Sequence, residues 1–185
     1  MATMDKPTIA AINGTARGAG MDMALMCDLR VMSDTASLAE TYIDVGLIAG
    51  DGGSWYLPRL IGCPRALELL WTGRVVESIE AARIGLVNHV VPHEELMMRA
   101  TSLASSIAAQ SAEAVRMYKR AVYQGLSMPL DAHLDMVSSH ISILRDTDLA
   151  PCLPSPGEED AKGPPAPNGH ETTQQKSCTE LAYTT

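Results

Sequence analysis

The sequence predicts an α/β fold that gives way to C-terminal helices and then to a disordered, Pro-rich tail. Short apolar runs, several rich in β-branched residues, alternate with helical stretches as far as residue 91, and residues 93–145 are nearly all helical in pattern. Residues 149–185 hold six of the 11 prolines, no Ile, Val or Met, and three leucines (Leu149, Leu153 and Leu181). Such a stretch cannot bury enough apolar surface to offset chain entropy. About 148 of the 185 residues are therefore expected to fold, enough for one domain of ordinary size and too few for two. The expected divisions are 1–91 for the α/β core, 92–148 for the helical region and 149–185 for the tail.

Each element has a local cause. Residues 8–12 (TIAAI) are a short apolar run closed by Asn13-Gly14, a buried strand ending in a turn. Residues 21–27 (MDMALMC) lack β-branched side chains and favour a helix. Residues 29–32 and 37–39 read as strands around a polar turn at Ser33-Asp34-Thr35. Residues 46–53 are too rich in glycine for regular structure and precede a short helix over 54–60. Pro64 opens a helix over 65–71 that Thr72-Gly73 closes. A short helix over 79–84 stops at Gly85, and a β-branched strand over 86–91 stops at Pro92. The following helices are expected to break near Gln110-Ser111 and across 125–129. No repeat recurs at a fixed period.

Charge and composition exclude several roles. Fourteen Lys and Arg against 22 Asp and Glu give a net charge of −8, which leaves no cationic surplus for nucleic acid or an anionic membrane surface. No apolar run approaches membrane-spanning length, and the order of residues 1–7, with Asp5 and Lys6 ahead of the apolar run, is not that of a signal peptide. Cys27, Cys63, Cys152 and Cys178 are far apart and show no CxxC spacing. Neither a disulfide framework nor a zinc site is suggested, and a reducing, cytoplasmic setting is expected. With no Phe and 11 Met, the core must be filled by flexible or small side chains.

The strongest local signal is the run from Asn13 to Asp22, which joins a buried strand to a helix start. Small residues at Gly18, Ala19 and Gly20 let a ligand approach the backbone, and the N–H groups of a helix N-terminus can hold an anion or a developing oxyanion. The same glycines would equally serve a loop that only needs tight packing. No Gly-Lys-Ser/Thr ends the loop, so it is not a Walker A motif, and no GxGxxG is present.

At this point the chain resembles the enoyl-CoA hydratase/isomerase, or crotonase, family. The resemblance is carried in order by Lys6-Pro7 with Asn13-Gly14, Gly18-Ala19-Gly20-Met21-Asp22 with Cys27-Asp28, Val45-Gly46-Leu47-Ile48, Leu57-Pro58-Arg59-Leu60, Arg65-Ala66-Leu67-Glu68 with Thr72-Gly73-Arg74, and residues 81–91. It covers residues 6–147. It implies a partial crotonase-like spiral of ββα units, trimer-building helices, an acyl-CoA thioester substrate and no separate cofactor, coenzyme A being part of the substrate. It also implies an oxyanion hole that polarises the thioester carbonyl so that an enolate-like anion can form, with one donor N–H falling on Ala19. Complete members begin with a half-domain that supplies the other donor and most CoA contacts. Nothing in this sequence corresponds to it, so the chain is expected to start at the middle of the fold.

Hydration needs one group to activate water and one to protonate the α-carbon, and family hydratases use two glutamates. The first glutamate position falls on Asp22 and the second on Tyr42, which is not a carboxylate. Asp22 is also where an acid suits a helix dipole. Asp51 lies in a glycine-rich loop that borders the acyl pocket in the family, although Asp is equally a turn residue. Glu40 and Asp44 are weaker candidates, and with Tyr42 they would share one face if the segment were extended. Trp55 and Trp71 are expected to pack, and Met21, Met23 and Met26 to lie in the core. Arg116, Lys119 and Arg120 would face either water or the phosphates of a neighbour's CoA. Pro92 argues against a metal pair at His89 and His93, and His133 and His140, seven apart, would be exposed or core residues. Three readings follow: an acyl-CoA lyase or isomerase using Ala19 N–H with Asp22 or Asp51; a catalytically incomplete, non-enzymatic relative; and a plain α/β nucleotide-binding module resting on the glycine loop alone.

Overall fold

A computed structural model of the protein describes residues 4–146, and the expected disordered tail lies outside these residues. The chain runs β1 (Ile9–Ile12), β2 (Ala16–Arg17), α1 (Ala19–Met26), β3 (Leu29–Ser33), β4 (Ser37–Ala39), a 3-10 turn (Thr41–Val45), α2 (Gly53–Ile61), α3 (Cys63–Thr72), β5 (Val76–Glu77), α4 (Ser78–Arg83) and β6 (His89–Val91). A second 3-10 turn (His93–Glu95) leads into α5 (Leu96–Ala108), α6 (Ala112–Gly125) and α7 (Leu130–Asp146). A pair of strands followed by a helix thus occurs twice in succession, as β1-β2-α1 and as β3-β4-α2.

The strands form two small sheets. One is all parallel, in the order β1-β3-β6, with Ile9 opposite Leu29 and Val31 opposite His89. In the other, β4 lies between β2, to which it is parallel, and β5, to which it is antiparallel. A parallel sheet is covered on both faces, and β1 accordingly reads as an unbroken apolar run. Side chains alternate across it: Ala10, Ile12, Met32 and Val90 join the main core of Met21, Leu25, Leu38, Leu57, Leu69, Val76 and Leu86, whereas Ile9, Ala11, Val31 and Val91 pack on Leu96, Ala100 and Leu103 of α5.

Several expectations are corrected. The two-residue strands β2 and β5 carry no apolar run, and their pairing comes from β4, not from their own propensity. Residues 41–45 are a 3-10 turn ending at Gly46, so Glu40, Tyr42 and Asp44 do not share the face of an extended strand. Only residues 89–91 of the expected 86–91 strand pair, because Leu86 and Val87 fold back through hydrogen bonds to the Ala81 carbonyl. Met23 is 57% exposed and Trp71 69% exposed, so neither fills the core. Arg116, Lys119 and Arg120 are engaged within the chain. Arg116 pairs with Glu113, Arg120 meets Asp5 at 2.7 Å, and Lys119 meets Asp28 at 2.7 Å. His89 bonds Arg99 and His93 bonds Ser33, and among the described residues no group of three His, Cys, Asp or Glu side chains is arranged to hold a metal ion.

Candidate active site

The site is built where β2 and β4 run side by side. Their parallel pairing puts Arg17 opposite Ala39, and the next N–H, that of Gly18, donates to the Ala39 carbonyl at 2.9 Å. Gly18 then caps α1 with φ 48° and ψ −120°, backbone that side chains other than glycine rarely adopt. No side chain caps the helix, and the first helical hydrogen bond runs from Asp22 N–H to the Gly18 carbonyl at 3.0 Å. The N–H groups of Ala19, Gly20 and Met21 precede that bond, so the helix geometry gives them no partner four residues back. They form the electropositive start of α1.

This geometry brings together two carboxylates that are distant in sequence. Asp22 lies in the first turn of α1, and Glu40 directly follows Ala39 at the end of β4. Both are buried, at 0% and 1% exposure. The N-terminus of α2 closes over them at Gly53, where a Cβ would lie 2.6 Å from Glu40 Oε1 and closer still to Asp22 Oδ1. No oxygen of either carboxylate has a hydrogen-bond partner within ordinary distance, and the Tyr42 hydroxyl is the donor of a third residue that acts on Asp22. Two ionised carboxylates cannot bond each other, but one protonated carboxyl can donate to the other. Burial, and then the neighbouring Asp22 carboxylate, push the Glu40 carboxyl up to about 8. Gly53→Ala is expected to force the two side chains aside and cost about 1–3 kcal/mol, read as a lowered midpoint in thermal unfolding.

Tyr42 covers the pair. Its ring lies across Gly18, 3.6 Å from where a Cβ would stand, and its hydroxyl donates to Asp51 Oδ2 at 2.9 Å. Shielding from water, that hydrogen bond and the charges of Asp22 and Asp51 raise the phenol above its usual range, so Tyr42 is neutral at pH 7. Gly18, Ala19, Gly20, Asp22, Tyr42 and Asp51 therefore share one region, with Asp22 inside and Asp51 exposed at the rim. Trp55 turns outward, 42% exposed, with the Arg59 guanidinium 3.9 Å over its ring. Glu40 is the residue whose weight sequence reasoning underestimated. The signal was an acid placed directly after the buried strand Ser37–Ala39, where a charge has no solvent to face. A cavity of about 820 Å³ between β1, α5 and α6, lined by Ile9, Ala11, Met97 and Ala104, contains none of these groups.

Comparison with known proteins agrees with the fold. The enoyl-CoA hydratase/isomerase family model matches residues 1–148. Crotonyl-CoA hydratase of Syntrophomonas wolfei is 41% identical over 128 residues, 69% of this chain and 49% of the relative. Short-chain-enoyl-CoA hydratase of Clostridium acetobutylicum is 38% identical over 131 residues, 71% and 50% of the two chains. The chain spans about half the length of the curated relatives it matches. Among solved structures, an enoyl-CoA hydratase from Bacillus anthracis superposes with a TM-score of 0.77 at 39% identity, covering 80% of this chain and 57% of that one. A Thermobifida fusca protein solved in complex with CoA superposes at 0.75, with 34% identity and the same coverage. The described part of the chain has the crotonase fold, and the chain belongs to the enoyl-CoA hydratase/isomerase family.

Proposed function

We propose that this chain carries the acid/base part of a site that adds water to a short-chain enoyl-CoA thioester. The observation that supports this most is the glycine-capped start of α1 beside a buried carboxylate in its own first turn. In this reading the thioester carbonyl accepts from Ala19 N–H, and the helix N-terminus steadies the negative charge that grows on that oxygen. Asp22 takes a proton from water while the water oxygen bonds to the β-carbon. The electrons of the C=C bond move into the enolate, and Asp22 then returns its proton to the α-carbon. The net change is the loss of the C=C π bond and of one O–H bond of water, and the gain of one C–O bond and one C–H bond.

Tyr42 is neutral and cannot serve as the second carboxylate that the family pattern has at its position. Instead its tie to Asp51 closes the site, and the acyl chain enters when that tie opens. Asp51 acts at the rim by holding Tyr42 and Asp22 acts at the reacting carbons. The exposed Tyr118, Val122, Leu134 and Ile141 of α6 and α7 support the further expectation that these helices join copies of the chain into a trimer, which sedimentation would read.

The test uses the full chain. It is expected to hydrate crotonyl-CoA, followed by loss of the conjugated absorbance, and to bind a CoA thioester in calorimetry. A chain that neither hydrates enoyl-CoA of any length nor binds CoA refutes the enzymatic reading and favours the catalytically incomplete one.

A further inference from the structure

We infer that Glu40 is the proton-holding partner of Asp22, a positioning residue whose carboxyl O–H donates to Asp22 and keeps Asp22 the ionised member of the pair. This rests on the reading of Asp22 as the base, and it adds to that reading the group that fixes its charge state. A base must be unprotonated when substrate arrives, yet a buried carboxylate with no donor around it tends to take up a proton. The pair resolves this by holding one proton between two carboxyls, as two carboxylates at close range do when they cannot both ionise.

The geometry assigns the proton to Glu40. Asp22 belongs to α1, whose N-terminal N–H groups lie at Ala19, Gly20 and Met21 and favour negative charge in the first turn. Glu40 precedes a 3-10 turn with no side-chain capping hydrogen bond, and the group that acts on its carboxyl is Asp22. From α2 the pair faces Gly53 and Ala49 lies beside it, neither of which brings charge. From the 3-10 turn it faces the neutral Tyr42, and Asp51 stands behind the Tyr42 hydroxyl. Among the described residues no Lys, Arg or His bonds either carboxylate. Burial and the Asp22 charge act on Glu40 in the same direction. During turnover the Glu40 proton stays in place. Asp22 alone exchanges protons with water and the α-carbon, and the hydrogen bond from Glu40 orients it.

The experiment follows the carboxyl carbons of ¹³C-labelled glutamate by NMR in the full chain, wild type and Asp22→Asn, across the pH range in which the protein stays folded. In the wild type one glutamate, removed by Glu40→Gln, is expected to titrate near 8, and in Asp22→Asn its midpoint should fall because the partner charge is gone, while staying above 4.5 because burial, the larger cause, remains. The sign for stability is fixed by the same shift. The folded state holds a proton that the unfolded chain releases, so the wild-type folding equilibrium should weaken by up to about tenfold per pH unit as pH rises from 4.5 toward 8. Glu40→Gln should lose that slope, which replacing an ordinary surface acid would not do. A Glu40 midpoint within the usual carboxylate range in the wild type, or one that Asp22→Asn leaves unmoved, overturns the proposal. Hydration plays no part in this readout, so an inactive chain with the titration intact overturns the hydratase reading alone.

Discussion

An Asp22→Asn variant is expected to hydrate crotonyl-CoA about 10²- to 10⁴-fold more slowly than the wild-type chain, with kcat carrying the loss and KM little changed. Asn has nearly the volume of Asp and can still bond Glu40, so the packing around Met21, Leu25 and Gly53 is retained. What disappears is the carboxylate that accepts the proton of water. The variant is expected to unfold in urea at or above the wild-type midpoint, because one of two crowded buried acids has been neutralised. Asp51→Asn keeps an oxygen for the Tyr42 hydroxyl and is expected to lose less. Unchanged turnover in Asp22→Asn would reject the assignment of Asp22 as the base.

An Asp28→Ala variant is expected to lose about 3–5 kcal/mol of stability, read as a lower urea midpoint with an unchanged slope. Asp28, in the turn between α1 and β3, accepts from Thr8 N–H at 2.7 Å, Lys119 Nζ at 2.7 Å and Tyr123 hydroxyl at 2.9 Å. The side chains of the ion pair are only 7% and 16% exposed, so removing Asp28 strands an ammonium, an amide and a phenol together. Burial by itself would raise the Asp28 carboxyl, but Lys119, the Thr8 N–H and hydroxyl, and Tyr123 outweigh it and hold it below its usual range. The folded state therefore binds this proton less readily than the unfolded chain. The contribution is complete above the ordinary value of 3.8 and is lost as pH falls through the lower folded value. Because these contacts tie α6 to the start of β1, the loss should also expose α6 amides to early hydrogen exchange.

What was legible in the sequence follows the range of the forces involved. Elements with their own periodicity and stop signals, such as α3 between Pro64 and Gly73 or α6 ending at Gly125, come within a few residues of their observed bounds. The two-residue strands β2 and β5 were not legible, since two residues carry no pattern and their partner β4 decides their shape. The site shows the same division. Gly18, Ala19, Gly20 and Asp22 form one continuous motif and were found together. Tyr42 and Asp51 were found separately, and the hydrogen bond between them depends on how the 3-10 turn folds against the loop before α2. Glu40 ranks only as a weaker candidate in the sequence because its importance comes from burial against Asp22 and Gly53, which no local pattern encodes. The Asp28–Lys119 bond joins residues 91 positions apart, so the basic run on α6 read as a free face when it is an internal clamp.

The most direct test of the site is to let the full chain hydrate crotonyl-CoA in D₂O and to locate the deuterium in the product by NMR. A fixed base beside the helix N-terminus delivers its proton to one face of the enolate. The expected product therefore carries deuterium at the α-carbon in a single configuration, and Asp22→Asn should form it only at the residual rate. A product with deuterium in both configurations, or one formed equally well without the Asp22 carboxylate, would contradict proton delivery by Asp22.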